Sequence, residues 1–288
     1  MKQQAHNQTE IGKEVGFNRY KFLKNLEFET LTTDEKKEIE SYEARHEVTP
    51  DQLAYKKSYV ERLTTEIPTK DFVFTKDNLW KLFIAKYKEV NKKDFKQTAE
   101  SLSNLKAIFY YFLKDDAFLQ CENLHYITKP DFDKGLLIIG NFGNGKTSVM
   151  KTFEEIFKGI KNYHFKGYNA NEVVKMFEQI KADEFGIDLT RKDFDKKMTK
   201  GTVYFDDVKT EREASNYGKV NLFKEILEMR NTNNSKTFIT CNFRDGYPNN
   251  IEEALNEFSI KYGERVYDRI YEMFNIIEFK GKSFRVWE

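Results

Sequence analysis

The sequence predicts an α/β domain, a parallel sheet flanked by helices, preceded by a small helical N-terminal module. Three observations carry that prediction. After residue 134, short apolar runs alternate with amphipathic helical stretches, the pattern of parallel strands covered on both faces. Before it, capping signals and helical spacing dominate. The length of 288 residues, with 39% apolar and 33% charged residues, suits a soluble, lysine-rich chain of one or two domains.

The elements follow in order. Thr32 with Glu35 fits a capping box before DEKKEIESYEARHEV. Thr49-Pro50-Asp51-Gln52 fits another, with proline at the first helical position. These predict helices near 33–47 and 50–66, the second broken by Ile67-Pro68. Thr75 caps a third, DNLWKLFIAKYKEV, in which Leu79, Leu82, Phe83 and Tyr87 recur at helical spacing. Asp94 is read as the cap of FKQTAESLSNLKAIFYYFL, which loosens toward Pro130-Asp131. The division is placed at 94/95: residues 1–94 as a partner-binding module with its linker, and 95–288 as the α/β domain. That domain reads LLIIG, a helix to about 159, YHFKGY, a helix near 171–182, TVYFDDV, a helix near 219–230, TFITCN, and a closing helix and strand.

Composition narrows the function classes. No run of about 18 apolar residues exists and the N-terminus lacks an apolar signal core, so a cytoplasmic protein with no membrane contact is expected. Cys121 and Cys241 have no CxxC or clustered histidines and are read as buried thiols, without zinc or a disulfide. A net charge of +1 carries no global nucleic-acid signature, so any DNA contact must be local. The candidate patch is RKDFDKKMTK, residues 191–200, basic with one interleaved aromatic; the plainer reading is a solvated loop.

Gly140-Asn141-Phe142-Gly143-Asn144-Gly145-Lys146-Thr147 matches G-x-x-x-x-G-K-[ST], between a buried-strand pattern and a helix that begins with Ser148 and its neighbours. Glycines let successive N–H groups face phosphate oxygens, and the helix adds the positive end of its dipole. Lys146 is then expected on the β- and γ-phosphates of ATP and Thr147 on Mg²⁺. Asp206 and Asp207 end the TVYFDDV strand, where a parallel sheet opens toward its ligand crevice. Asp206 is the candidate for holding Mg²⁺ with Thr147, and Asp207 for orienting the attacking water. Asn242, ending the next strand, is the candidate γ-phosphate sensor; a turn asparagine is the simple alternative. Asn91-Lys92-Lys93-Asp94 spells N-K-x-D, a guanine-reading pattern, but lies between two helices ahead of the phosphate loop and is read as a solvated helix junction.

Arginine use adds a further clue. Of 48 basic residues only ten are arginine, and six fall late: Arg212, Arg230, Arg244, Arg265, Arg269 and Arg285. Arg265 and Arg269 stand at i, i+4, as do Glu264 and Asp268, so local pairing gains little and an external anion is the better account.

GNFGNGKT, VYFDDV, EREASNYGKVNLFKEILEMR, ITCN, YGERVYDRI and IIEFKGKSFR, in this order from about residue 97 onward, resemble the AAA+ ATPases of the DnaC/IstB helicase-loader class, nearest to phage and mobile-element types. The resemblance implies an AAA+ phosphate-loop core without a C-terminal lid domain. It implies an ATP-hydrolysing protein that self-associates through its ATP sites, binds single-stranded DNA and delivers a replicative helicase. By the same match Arg269 would be an arginine finger acting on a neighbour's ATP, with Arg265 its support and Arg285 a second sensor. Asp207 departs from the glutamate common at its position, which implies slow hydrolysis. The alternatives are an IstB-like transposition helper, whose partner is a transposase, and more distantly a phosphate-loop kinase for a small molecule. The first third carries no specific resemblance; a helicase-binding module and a helical cap are equal readings.

Overall fold

The computed structural model describes residues 17–24, 26, 31–46, 72–180, 189–215 and 218–285. The chain divides into two units, Met1–Glu66 and Ile67–Glu288.

In the first unit, α1 (Phe17–Lys24) packs on α2 (Thr33–His46). The expected capping box is formed: Thr32 Oγ1 accepts from the Glu35 N–H at 3.3 Å, and the Glu35 carboxylate accepts from the Thr32 N–H at 3.0 Å. Leu23, Leu31 and Ile39 are buried together, and the Tyr20 and Tyr42 rings stack at 4.3 Å. The helix expected at 50–66 lies outside the described residues.

The second unit opens with α3 (Lys76–Asn91), capped reciprocally by Thr75 and Asn78. The next helix, α4 (Ala99–Leu113), is not capped by Asp94. Thr98 takes that place, because Ser101 returns its hydroxyl to the Thr98 N–H while Asp94 is drawn to Lys88 at 3.0 Å. The boundary between units also falls earlier than 94/95. Phe83 and Tyr87 of α3 bury against Phe153 and Phe95, which makes this helix part of the α/β unit.

The strands are β1 (Leu124–His125), β2 (Gly135–Gly140), β3 (Lys166–Asn169), β4 (Val203–Asp206), β5 (Ala214–Ser215), β6 (Lys219–Val220), β7 (Thr237–Cys241) and β8 (Phe274–Phe279). Between them lie α5 (Lys146–Ile156), α6 (Ala170–Glu178), α7 (Leu189–Thr199), α8 (Leu222–Thr232), α9 (Ile251–Tyr262) and α10 (Glu264–Met273). Six strands form one sheet in the order β1-β8-β2-β7-β4-β3, parallel except for β1 at the edge; β5 and β6 make a separate hairpin.

Both faces are covered, which explains the uninterrupted apolar runs. Leu137 and Ile139 of β2 point to the face built with α6 to α10, whereas Leu136 and Ile138 point to the one with α3, α4 and α5. The chain leaves β2 for the far edge at β3 and returns through β4 to place β7 beside β2. This ordering brings Gly140, Asp206 and the residue after Cys241 to one end of the sheet. No helix among the described residues is long and apolar enough to cross a membrane.

Candidate nucleotide-binding site

The phosphate loop spans the end of β2 and the start of α5 as the spacing predicts. Two of its glycines sit at left-handed φ. Gly143 (φ +74°) lies so close to the segment after β8 that a Cβ would meet Ser283 Oγ at 2.2 Å, and Gly145 (φ +99°) turns the chain into α5. Asn144 donates to the Phe279 carbonyl at 2.7 Å, and the Phe284 N–H donates to the Gly143 carbonyl at 3.0 Å. Phe142 stands at the loop's tip, 59% exposed.

Lys146 is buried and donates to the carbonyls of Gly140 and Asn141 at 2.8 Å each, to Asn144 Oδ1 at 3.3 Å and to Asn242 Oδ1 at 3.0 Å. Every one of these acceptors is uncharged. Burial lowers its pKa to about 8, a shift that a bound phosphate would oppose.

Thr147 donates to Asp206 Oδ1 at 2.9 Å, joining the two residues expected to share Mg²⁺. The same oxygen accepts from Tyr204 at 2.5 Å and Thr240 at 2.6 Å. Tyr204 and Thr240 were not legible as site residues, because their roles exist only once β4 and β7 are in register. Asp207 adopts a left-handed φ of +61° and accepts from Asn242 Nδ2 at 3.1 Å. Asn242 therefore bridges Lys146 and Asp207, which a turn asparagine need not do.

The residues fit a magnesium nucleotide. Among the described residues no group of three or more His, Cys, Asp or Glu side chains can hold a metal by itself. One carboxylate and one hydroxyl beside a phosphate cradle is a donor set that leaves magnesium's remaining positions to phosphate and water. Tyr87, Lys93, Phe142, Ser148, Asp207 and Arg285 complete the walls of this cleft. Next to it lies an apolar cavity of about 270 Å³, lined by Tyr87, Phe95, Val149, Phe279 and Phe284 with Asp94 at its margin.

The N-K-x-D stretch is the solvated helix junction expected at Lys92, Lys93 and Asp94, and only Asn91 is half-buried. Asn91 donates to the Tyr87 carbonyl at 3.1 Å and to Thr152 Oγ1 at 3.2 Å, so its amide ties α3 to the phosphate-loop helix and does not face a ligand. RKDFDKKMTK is not a loop: most of it belongs to α7, with Phe194 and Met198 buried in the core. Phe194 is buried, its ring tilted against that of Phe177, and cannot stack on a base, while Lys197 pairs with Asp193 at 2.6 Å. Cys241 is buried as expected, and Cys121 is half-buried.

The late arginines separate into two groups. Arg212 forks onto Glu178, Arg230 is fully buried against Thr237 and three carbonyls, and Arg244 pairs with Glu253 at 2.6 Å. Arg265, Arg269 and Arg285 make no side-chain hydrogen bond or ion pair among the described residues, and Arg269 Nη1 is buried without a partner. Arg285 lines the phosphate cleft; Arg265 and Arg269 lie on α10.

Against solved structures, the chain is similar in fold to a DnaC helicase loader, at 18% identity and TM-score 0.41, over 65% of this chain and 93% of that one. It is likewise similar to DnaI, at 20% identity and TM-score 0.41, over 66% of this chain and 90% of that one. These are likenesses of fold. No family model and no curated protein matches the chain.

Proposed function

We propose that this chain is an AAA+ ATPase of the helicase-loader class, which binds Mg²⁺-ATP at the phosphate loop and uses its turnover to deliver a replicative helicase to single-stranded DNA. One observation carries the nucleotide reading: Lys146, Thr147, Asp206, Asp207 and Asn242, from three separate parts of the sequence, form a single hydrogen-bonded cluster at the carboxyl ends of β2, β4 and β7. The helicase-loading half rests on the order of motifs along the chain.

In this reading Lys146 gives up its uncharged acceptors for the β- and γ-phosphate oxygens, and Thr147 with Asp206 holds the magnesium. Bound magnesium supplies charge neutralisation on the transferred phosphoryl group. Asp207, held through Oδ1 by Asn242, orients the attacking water. Its short arm suits slow turnover. Arg285 attends the γ-phosphate of its own subunit, and Arg269, supported by Arg265, serves a neighbouring copy. The apolar cavity beside the loop has the size and aromatic lining for the base. In the first unit, Phe22, 56% exposed on α1, suits a partner-binding surface.

Equilibrium binding of ATP and turnover against protein concentration test the enzyme, and a pull-down with a hexameric replicative helicase tests the task. Expected are Mg²⁺-dependent binding lost in Lys146→Ala, turnover per subunit that rises with concentration or DNA, and helicase capture. Turnover independent of both would overturn the trans arginine. Capture of a transposase instead would make the protein a transposition helper, and stimulation by a metabolite a kinase.

A further inference from the structure

Between the acidic strand and the arginine helix runs a set of contacts that nucleotide binding does not itself require. After Asp207 the chain passes through Lys209, also at a left-handed φ, of +81°. Two non-glycine residues so close together in this sparsely populated region persist only where the surroundings hold them. Those surroundings are one side of α9, from Ala254 to Tyr262, together with Asn242.

The Lys209 side chain is 4% exposed. Its ammonium donates to the Asn242 carbonyl at 2.9 Å, to the Ala254 carbonyl at 3.3 Å and to Glu257 at 2.5 Å. Its backbone N–H donates to the Tyr262 hydroxyl at 3.1 Å, which in turn donates to Glu211 Oε1 at 2.7 Å. Lys261 reaches back to the Lys209 carbonyl and to the Glu211 carbonyl, the latter at 2.7 Å. Tyr262 is the last residue of α9; Gly263 follows, and α10 begins at Glu264. The segment 207–211 is thus attached through Asp207 and Lys209 to Asn242, and through Lys209 and Glu211 to the residues from which α10 departs.

We propose that Lys209 is a positioning residue that couples nucleotide occupancy to the placement of Arg265 and Arg269. The inference rests on the nucleotide reading above and adds a direction of communication within one subunit. When a triphosphate takes Lys146, the lysine leaves Asn242 Oδ1, and the Asn242–Asp207 pair is free to resettle on the phosphate and its water. Lys209 is held by the main chain of Asn242, so the shift passes to Glu257, Lys261 and Tyr262 and from there to α10. A buried ammonium shared between two elements transmits displacement well, since losing any one acceptor is costly.

The test is hydrogen–deuterium exchange of α10 in the full chain, with and without Mg²⁺-ATP. It is read in an Arg269→Ala background, so that protection by a neighbouring copy is not the source. With Lys209 intact, ATP is expected to slow exchange in α10 by about fivefold or more, the lower end of ordinary coupling between sites. With Lys209→Met, ATP affinity stays as before and the change in α10 exchange on adding ATP is lost. A response retained in folded Lys209→Met overturns the proposal, as does its absence when Lys209 is intact and ATP is bound. Should that variant fail to fold, the same two outcomes are read on Tyr262→Phe, which removes a single hydroxyl. Failure of the unsubstituted chain to bind ATP overturns the nucleotide reading itself, and is seen before any variant is made.

Discussion

Arg212, Arg230 and Arg244 belong to the body of the α/β unit, and Arg265, Arg269 and Arg285 to its closing segment. The first three are fully engaged: a bidentate carboxylate for Arg212, a threonine and three carbonyls for Arg230, a carboxylate and the Tyr247 face for Arg244. The last three have no such partners among the described residues, and one nitrogen of Arg269 is buried with none. The first group is explained by folding. In the second, Arg265 and Arg285 are exposed to water and only Arg269, half-buried with Nη1 buried and unpartnered, carries a desolvation cost that an external anion would offset. Sequence shows six late arginines as one cluster; the structure divides it into three engaged within the fold and three that are not.

The largest effect is expected from the second group. Arg269→Ala should lower turnover by about 10³ to 10⁵, the range an arginine finger supplies in other NTPases. Its thermal midpoint and ATP affinity should stay near those of the unsubstituted chain. Mixing Arg269→Ala with Lys146→Ala, each inactive alone, should restore part of the activity if the arginine acts across a boundary between copies. Equal inactivity of the mixture would place Arg269 within its own subunit's site or outside the chemistry.

The reverse pattern is expected for Arg230. Arg230→Met leaves the carbonyls of Met198, Gly201 and Lys236 without their donor in a dry interior, at a cost of roughly 3 kcal/mol or more in stability. Urea denaturation measures it directly. Turnover per folded molecule should be unchanged, and a catalytic loss without a stability loss would dissolve the contrast between the two groups.

How much of this was readable from the residues depends on whether the needed information is local. The glycine-rich turn between β2 and α5, that helix, the acidic strand and the strand ending before Asn242 follow from spacing and apolar runs, and these elements fall where the spacing put them. The supports of Asp206 were hidden, since Tyr204 reads as one more strand aromatic and Thr240 as one more β-branched residue until pairing aligns them. The helix α7 was hidden differently. Only Phe194 and Met198 mark its buried face in a stretch otherwise charged, too few to show helical periodicity. The same sparseness made Lys196 and Lys197 look like a DNA patch.

Arg285 gives an intermediate effect. It lies at the phosphate cleft, and its charge is one of those lowering the Lys146 pKa, so the two cations are near each other and gain a shared anion when a triphosphate binds. Arg285→Ala should weaken ATP by about tenfold, the value of one hydrogen bond to a charged group, with a smaller effect on ADP. Titration calorimetry with both nucleotides checks this. Equal losses for the two would mean that Arg285 contacts the inner phosphates and is no γ-phosphate sensor.

The smallest effect belongs to Arg212 and depends on pH. Arg212 first, and then the Ser215 N–H, hold the Glu178 carboxyl down at about 2, against an ordinary value of 4.5. Because the folded value is the lower one, the unfolded chain binds more protons between the two. The contribution is therefore full above about 4.5 and is lost as pH falls toward about 2. Both groups meet solvent, so screening leaves the pair little weight even at neutral pH. Thermal midpoints of Arg212→Met and the unsubstituted chain should differ slightly at neutral pH and converge through the acid range. A difference that persists unchanged into acid would assign Arg212's contribution to the packing of its stem, and the ion pair would then have no share in holding β5 to α6.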